Sequence, residues 1–149
     1  MDRILRAGAL LLGLFLVGNG LVMLADPVAW YFAVPGVTGT GPFNQHFVRD
    51  IGLIYVMMGG GFLAGIARPR DRVLLWAAST LWLAGHALFH FWEVSVGICG
   101  TSALLRDFPG VTTPAILGLA LTVAATRHNP NAPCPARHKG PHGGHWHSL

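Results

Sequence analysis

The chain has 149 residues, of which 52% are hydrophobic and 11% are Asp, Glu, Lys or Arg. An average soluble domain carries about 25% charged residues, so this composition disfavours a water-soluble globule and favours a membrane protein. The formal net charge of +4 would suit a nucleic-acid partner only if the basic residues formed a patch that neutralises phosphates. They are few and scattered along the chain, so we expect no nucleic-acid binding.

Four apolar runs come close to or reach the length of about 17 to 25 helical residues that crosses a bilayer. They predict an all-α bundle of four transmembrane helices, with spans at about residues 5–25, 48–67, 73–96 and 111–126. The first run could instead be a cleaved signal peptide, but it is longer than the usual apolar segment of about 7 to 15 residues. The fourth run is the shortest and carries Pro114 in its first turn, where proline is tolerated.

The basic residues divide unevenly between the two sides that four spans create. The side that holds both termini and the loop at 68–72 carries eight of the ten Lys and Arg residues: Arg3, Arg6, Arg68, Arg70, Arg72, Arg127, Arg137 and Lys139. The other side holds Arg49 and Arg106 together with four acidic residues. Because cytoplasmic loops are enriched in Lys and Arg, we expect a bacterial inner-membrane protein with both termini in the cytoplasm.

The composition divides the chain into a transmembrane domain at 1–126 and a cytoplasmic tail at 127–149. The tail is rich in His, Pro and Gly and has no apolar period, so it should be disordered without a ligand. Histidine-rich tracts are typical of metal binding, with a merely solvated tail as the alternative. The candidate ligands in the tail are Cys134, His138, His142, His145 and His147.

The segment at 27–43 follows the first span and is interrupted by prolines and glycines. It therefore cannot form a regular fifth span. Its aromatic residues Trp30, Tyr31 and Phe32 suit the membrane–water interface. We expect this segment to be an interfacial flap on the outer side.

Gly61 and Gly65 of the second span have the GxxxG spacing of close helix contacts. We interpret the pair as packing within the chain, with a homo-oligomer face as the alternative. Cys99 and Cys134 fall on opposite sides of the membrane and should not pair with each other.

Three polar residues share one face of the third span, in the string His86-Ala-Leu-Phe-His90-Phe-Trp-Glu93. Imidazoles at i and i+4 can bind one metal ion, and a carboxylate one turn further on can complete the site. This face lies in the outer half of its span, at the depth where His46 and Asp50 begin the second span. We therefore predict a transition-metal site made of His46, Asp50, His86, His90 and Glu93.

Four further polar residues lie in the outer halves of the spans and could orient the ligands: Asn19, Arg49, Thr112 and Thr113. Imidazole suits copper, zinc and iron, and we expect copper or zinc ahead of iron. A heme would need a ligand from another helix, such as His46. The alternative is a structural polar network, for example Glu93 with Arg49 or Arg106, that fixes helix register.

The stretch Leu24-Ala-Asp-Pro27, the segment after it, and then Arg49-Asp-Ile-Gly52 with Gly59-Gly-Gly61 resemble DoxX-like four-helix bacterial membrane proteins. The resemblance covers about the first 65 residues. It implies the four-helix fold and, from some members, a link to quinone-coupled oxidoreductases. It assigns no role to the string from His86 to Glu93.

Three functions remain open. The first is metal binding or handling, and the second is a membrane oxidoreductase, linked to quinone, heme or metal, with His90 or Glu93 as proton carrier. The third is a structural accessory subunit without metal. A hydrolase is disfavoured because the chain has neither a Gly-x-Ser-x-Gly elbow nor a phosphate-cradling loop. A passive channel is disfavoured because no span has a polar stripe through both leaflets.

Overall fold

The computed structural model describes residues 3–128, which are almost entirely helical and contain no strand. The helices are α1 (Arg3–Ala25), α2 (Pro27–Ala33), α3 (Gln45–Ala67), α4 (Arg72–Ser95), α5 (Ser102–Asp107) and α6 (Thr113–Arg127). A 3₁₀ turn at Val37–Gly39 separates α2 from α3, and a π turn at Phe108–Thr112 joins α5 to α6. The ligand candidates of the tail, Cys134, His138, His142, His145 and His147, lie outside the described residues.

Four helical segments are long and apolar enough to cross a membrane, which confirms the predicted four-span fold. Three of them are α1, α3 and α4, close to the predicted spans. The fourth is the continuous segment Ser102–Arg127, which comprises α5, the π turn and α6. It begins earlier than the predicted start at residue 111, because the charged and proline-containing residues before that point are helical too. The cytoplasmic location of both termini stays a prediction.

The four spans form a closed ring in which consecutive spans are neighbours. α1 packs on α3, α3 on α4, α4 on α6, and α6 on α1. Phe62 and Trp76 are fully buried between α3 and α4, and the Trp76 indole donates a hydrogen bond to the Phe62 carbonyl at 3.0 Å. We call the end of the bundle that carries α2 and the 96–101 connection the flap end.

The most extensive helix contact joins α1 to α3 through glycines. Gly13 and Gly20 on α1 lie against Gly59 and Gly52 on α3. A methyl group built on Gly20 or Gly59 would overlap the carbonyl of the facing glycine. Small residues let helix backbones approach closely in lipid, so this glycine seam fixes the separation of α1 and α3.

The predicted GxxxG pair also packs within the chain. Gly61 lies against Ser79, and Gly65 lies against the Trp76 ring of α4. α4 therefore covers this face of α3, which excludes it as the homo-oligomer face that was the alternative.

Hydroxyl groups stabilise the contacts that α4 makes on both sides. Ser79 donates to the Met58 carbonyl of α3 at 3.0 Å, and Thr80 lies 3.0 Å from the Thr122 hydroxyl of α6. In lipid such hydrogen bonds contribute about 0.6 kcal/mol each. They fix the register of α4 between its neighbours.

The flap at 27–43 contains only the seven-residue helix α2 and the 3₁₀ turn, which agrees with the prediction that it does not span the membrane. The Trp30 indole donates to the Asn19 side chain at 2.9 Å, and the Tyr31 hydroxyl donates to the Gly41 carbonyl at 2.7 Å. The flap is thus anchored to α1 at one end and closed on itself at the other.

We predict that Gly59→Ala destabilises the bundle by about 1 to 3 kcal/mol, because the added methyl overpacks the glycine seam. Gly60→Ala is the matched control, since a methyl there meets no atom within 4 Å and alanine favours a helix by about 0.5 to 1 kcal/mol over glycine. Thermal unfolding in detergent, followed by circular dichroism, measures both. Equal melting temperatures for the two variants would show that the seam is not tightly packed.

Candidate functional site

The predicted polar face of α4 is present near the flap end. The imidazole rings of His86 and His90 lie edge to face with centroids 4.8 Å apart, and the Trp82 ring stacks on His86 at 4.9 Å. Trp82 in turn lies edge-on to Tyr55 of α3 at 5.7 Å. The face therefore forms a row of rings that leads from the bundle interior to the flap end.

His90 ends this row in contact with an acidic residue that sequence reasoning missed. Its Nδ1 lies 3.3 Å from the Oδ2 atom of Asp107, the last residue of α5, and the two side chains are 23% and 15% exposed. A carboxylate at Nδ1 favours the tautomer with a proton on that nitrogen. The Nε2 atom of His90 is then free to accept a proton.

Arg106 holds the same carboxylate from the other side. Its Nε and Nη2 atoms donate to the two oxygens of Asp107 at 2.7 and 3.0 Å. This bidentate geometry is the strong form of an arginine–carboxylate pair. Asp107 therefore bridges a guanidinium group and an imidazole.

The π turn orients Asp107. Pro109 within it has no N–H to donate, and the Phe108 carbonyl accepts from both the backbone and the hydroxyl of Thr113, the latter at 3.2 Å. One extra residue in a turn rotates the helix face by about 100°. Here the rotation leaves Asp107 facing α4 while α6 keeps its apolar contacts in the bundle.

A small cleft lies beside the His90–Asp107 pair. It encloses about 10 Å³, the size of one water molecule. Its polar lining consists of His90, Glu93, Cys99, Asp107 and Thr112. The cleft thus combines a base, two carboxyl groups, a thiol and a hydroxyl at one end of a membrane-spanning bundle.

The predicted residues at the start of α3 pair with each other. The Nε2 atom of His46 lies 3.2 Å from Asp50 one helical turn away, and their side chains are 88% and 52% exposed. The prediction joined this pair to the face of α4 because both lie at the same depth. Among residues 3–128 no group of three His, Cys, Asp or Glu side chains is arranged to hold a metal ion.

Most of the predicted orienting residues bind other groups. Asn19 holds the flap, Arg49 donates from Nε to the Leu24 carbonyl at 3.1 Å, and Thr113 closes the π turn. Thr112 lies at the cleft. Asn19, Arg49 and Thr113 therefore stabilise the connections at the flap end, and an orienting role for Thr112 stays a prediction.

The comparisons with known proteins give one informative match. The chain is 28% identical over 109 residues to an undecaprenyl-diphosphatase of Cereibacter sphaeroides. The match covers 69% of this chain but 38% of that protein, so the chain spans less than half of the relative's length. No protein-family model and no solved structure matches the chain, and the resemblance to DoxX-like proteins stays a prediction.

We predict that His90 and Asp107 are energetically coupled, since both are largely buried. A double-mutant cycle with His90→Gln and Asp107→Asn should give a coupling energy of about 1 kcal/mol. The cycle with His46→Gln and Asp50→Asn is the matched comparison, and its exposed pair should give less than about 0.5 kcal/mol. Denaturant unfolding in detergent measures both, and independent effects of His90→Gln and Asp107→Asn would contradict the contact.

Proposed function

We propose that the protein binds a prenyl diphosphate, a membrane lipid with a diphosphate headgroup, at the flap end and hydrolyses it. The single observation that carries this proposal is the His90–Asp107 pair, held by Arg106, at a cleft between α4 and α5. The similarity to an undecaprenyl-diphosphatase supports the substrate class. Since the chain covers 38% of that protein, the activity is inferred from the match and the site together.

The chemistry follows from the free nitrogen of His90. Nε2 accepts a proton from a water molecule while Asp107 stabilises the resulting imidazolium. The water oxygen attacks the terminal phosphorus, and the bond from that phosphorus to the bridging oxygen breaks. His90 returns the proton to the leaving lipid monophosphate. A His–Asp pair needs neither a serine elbow nor a glycine-rich loop, the absence of which led to the sequence expectation against a hydrolase.

The charges at the cleft determine how a diphosphate binds. Arg106 neutralises Asp107, is 39% exposed and keeps its Nη1 atom outside the bonds to that carboxylate. Nη1 can therefore donate to a phosphate oxygen. Glu93 adds a negative charge to the same cleft. Since the cleft has room for one water molecule only, we expect the diphosphate to bind at its mouth together with a divalent cation.

The location of the cleft suits a lipid substrate. The flap places Trp30 and Phe32 at the same end of the bundle as His90, and such rings favour the level of the lipid headgroups. A lipid diphosphate would lie at that level with its chain in the bilayer. If both termini are cytoplasmic, as the basic residues predict, the site faces the outer side of a bacterial inner membrane.

We predict that the protein in lipid nanodiscs releases inorganic phosphate from a prenyl diphosphate when a divalent cation is present. His90→Ala and Asp107→Asn should each lower kcat by about 10² to 10⁴, the usual contribution of general acid–base catalysis. His46→Ala is the matched control and should keep the wild-type rate, because His46 pairs outside the cleft. Absence of phosphate release by the wild type, or equal rates in all three variants, would refute the proposal.

A second candidate function is the binding of copper or zinc, which the closeness of the His86 and His90 rings favours. Asp107 contacts His90, and Glu93 and Cys99 line the same cleft. Side-chain rotation would have to bring a third ligand to the two imidazoles. His46 and Asp50 would not take part, because they pair on α3.

We predict, for this second candidate, one copper or zinc ion per chain bound at α4 in the purified protein. Elemental analysis should find about one ion fewer per chain in the His86→Ala, His90→Ala double variant than in the wild type. The His46→Ala variant should keep the wild-type content, and metal bound by the tail would be equal in all three. An unchanged metal content in the double variant would rule out a metal site on α4.

A further inference from the structure

The loop after α2 lies against Arg106. Gly36 in this loop has φ of +88°, in the left-handed region that favours glycine. A methyl group built on Gly36 would overlap the guanidinium group of Arg106. A residue with a Cβ atom at this position would therefore displace the Arg106 side chain.

Arg106 consequently connects the flap to the cleft. One side of its guanidinium group lies against Gly36, and its Nε and Nη2 atoms donate to Asp107. Asp107 contacts His90 in turn. A continuous series of contacts thus leads from the flap loop to His90, the proposed general base.

We propose that Gly36 is a positioning residue, which confines the Arg106 side chain so that its two donors face Asp107 and keep that carboxylate directed at His90. The proposal rests on the function proposed above for this site. An arginine side chain has several rotatable bonds and loses considerable freedom when it is fixed. Arg106 and Asp107 are neighbours in sequence on the partly exposed edge of α5, so the loop supplies the restraint that this short helix lacks.

A side chain at position 36 acts on Arg106 first. The overlapping atoms belong to the end of a flexible side chain, so Arg106 moves while the bundle stays folded. Asp107 then loses one or both donors, and His90 loses its fixed carboxylate partner. The value of kcat should fall because His90 loses its fixed partner, and KM should rise because the displaced guanidinium group no longer directs Nη1 at the phosphate.

The experiment uses the full chain labelled with ¹⁵N-arginine in detergent micelles. In the wild type, the Nε–H signal of Arg106, assigned by its loss in Arg106→Lys, should exchange slowly with water. In Gly36→Ala that protection should fall at least tenfold. Gly36→Asn separates backbone strain from the overlap with Arg106, because asparagine tolerates the left-handed backbone but still carries a Cβ atom. The protection should therefore fall in Gly36→Asn as it does in Gly36→Ala.

Gly39→Ala is the matched control in the same loop. Gly39 has an ordinary φ, and a methyl group there meets no atom within 4 Å, so the Arg106 signal should keep its protection. Retained protection in both Gly36 variants would overturn the proposal, as would equal loss in Gly39→Ala. This readout does not depend on hydrolysis, so it fails or succeeds separately from the proposed activity.

A kinetic cycle links the positioning role to the site. Gly36→Ala should lower kcat about tenfold in the wild-type background and raise KM. The same substitution should have no further effect in an Arg106→Lys background, since the residue on which it acts is already altered. Additive effects of the two substitutions would show that Gly36 acts by another route.

Discussion

The contact between His90 of α4 and Asp107 of α5 is the interaction on which the candidate site depends. It joins two helices that are separate in sequence, and it places a carboxylate and an imidazole in a largely buried position at the flap end. A buried carboxylate without a partner is costly, so Arg106 and His90 together make the position of Asp107 tolerable. Helix continues from α5 through the π turn into α6, and both α5 and the π turn pack against α4.

The helical architecture could be predicted from the apolar runs, because a backbone in lipid must satisfy its own hydrogen bonds and helices do so. The start of the fourth span could not be predicted from the apolar runs. Arg106, Asp107 and Pro109 have the composition of a loop, yet the charges pair with each other and the π turn accommodates the proline. The GxxxG spacing does not reveal the glycine seam either, because Gly13 and Gly20 lie seven residues apart.

The sequence could predict the part of the candidate site that lies on α4, but not the residues that other helices contribute. Helical periodicity identified the shared face of His86 and His90, because the angular positions of side chains about one helix axis follow from their spacing in the sequence. Which residues of other helices meet that face depends on rotation about each helix axis, and equal depth in the membrane does not determine it. The prediction therefore chose His46 and Asp50, which pair on an exposed surface. An acidic residue just before an apolar run, such as Asp107, was the available signal.

The contact between His90 and Asp107 can be tested by measuring the distance between their side chains in a lipid bilayer. Solid-state NMR can measure the dipolar coupling between ¹⁵N-labelled histidine and the ¹³C-labelled side-chain carboxyl carbon of aspartate, with the His46→Gln variant removing the signal from the other pair. With Nδ1 and Oδ2 3.3 Å apart, we expect a measurable coupling that persists in the His46→Gln variant and disappears when His90→Gln is added to that variant. A coupling that disappears already in His46→Gln would contradict the contact and the site built on it.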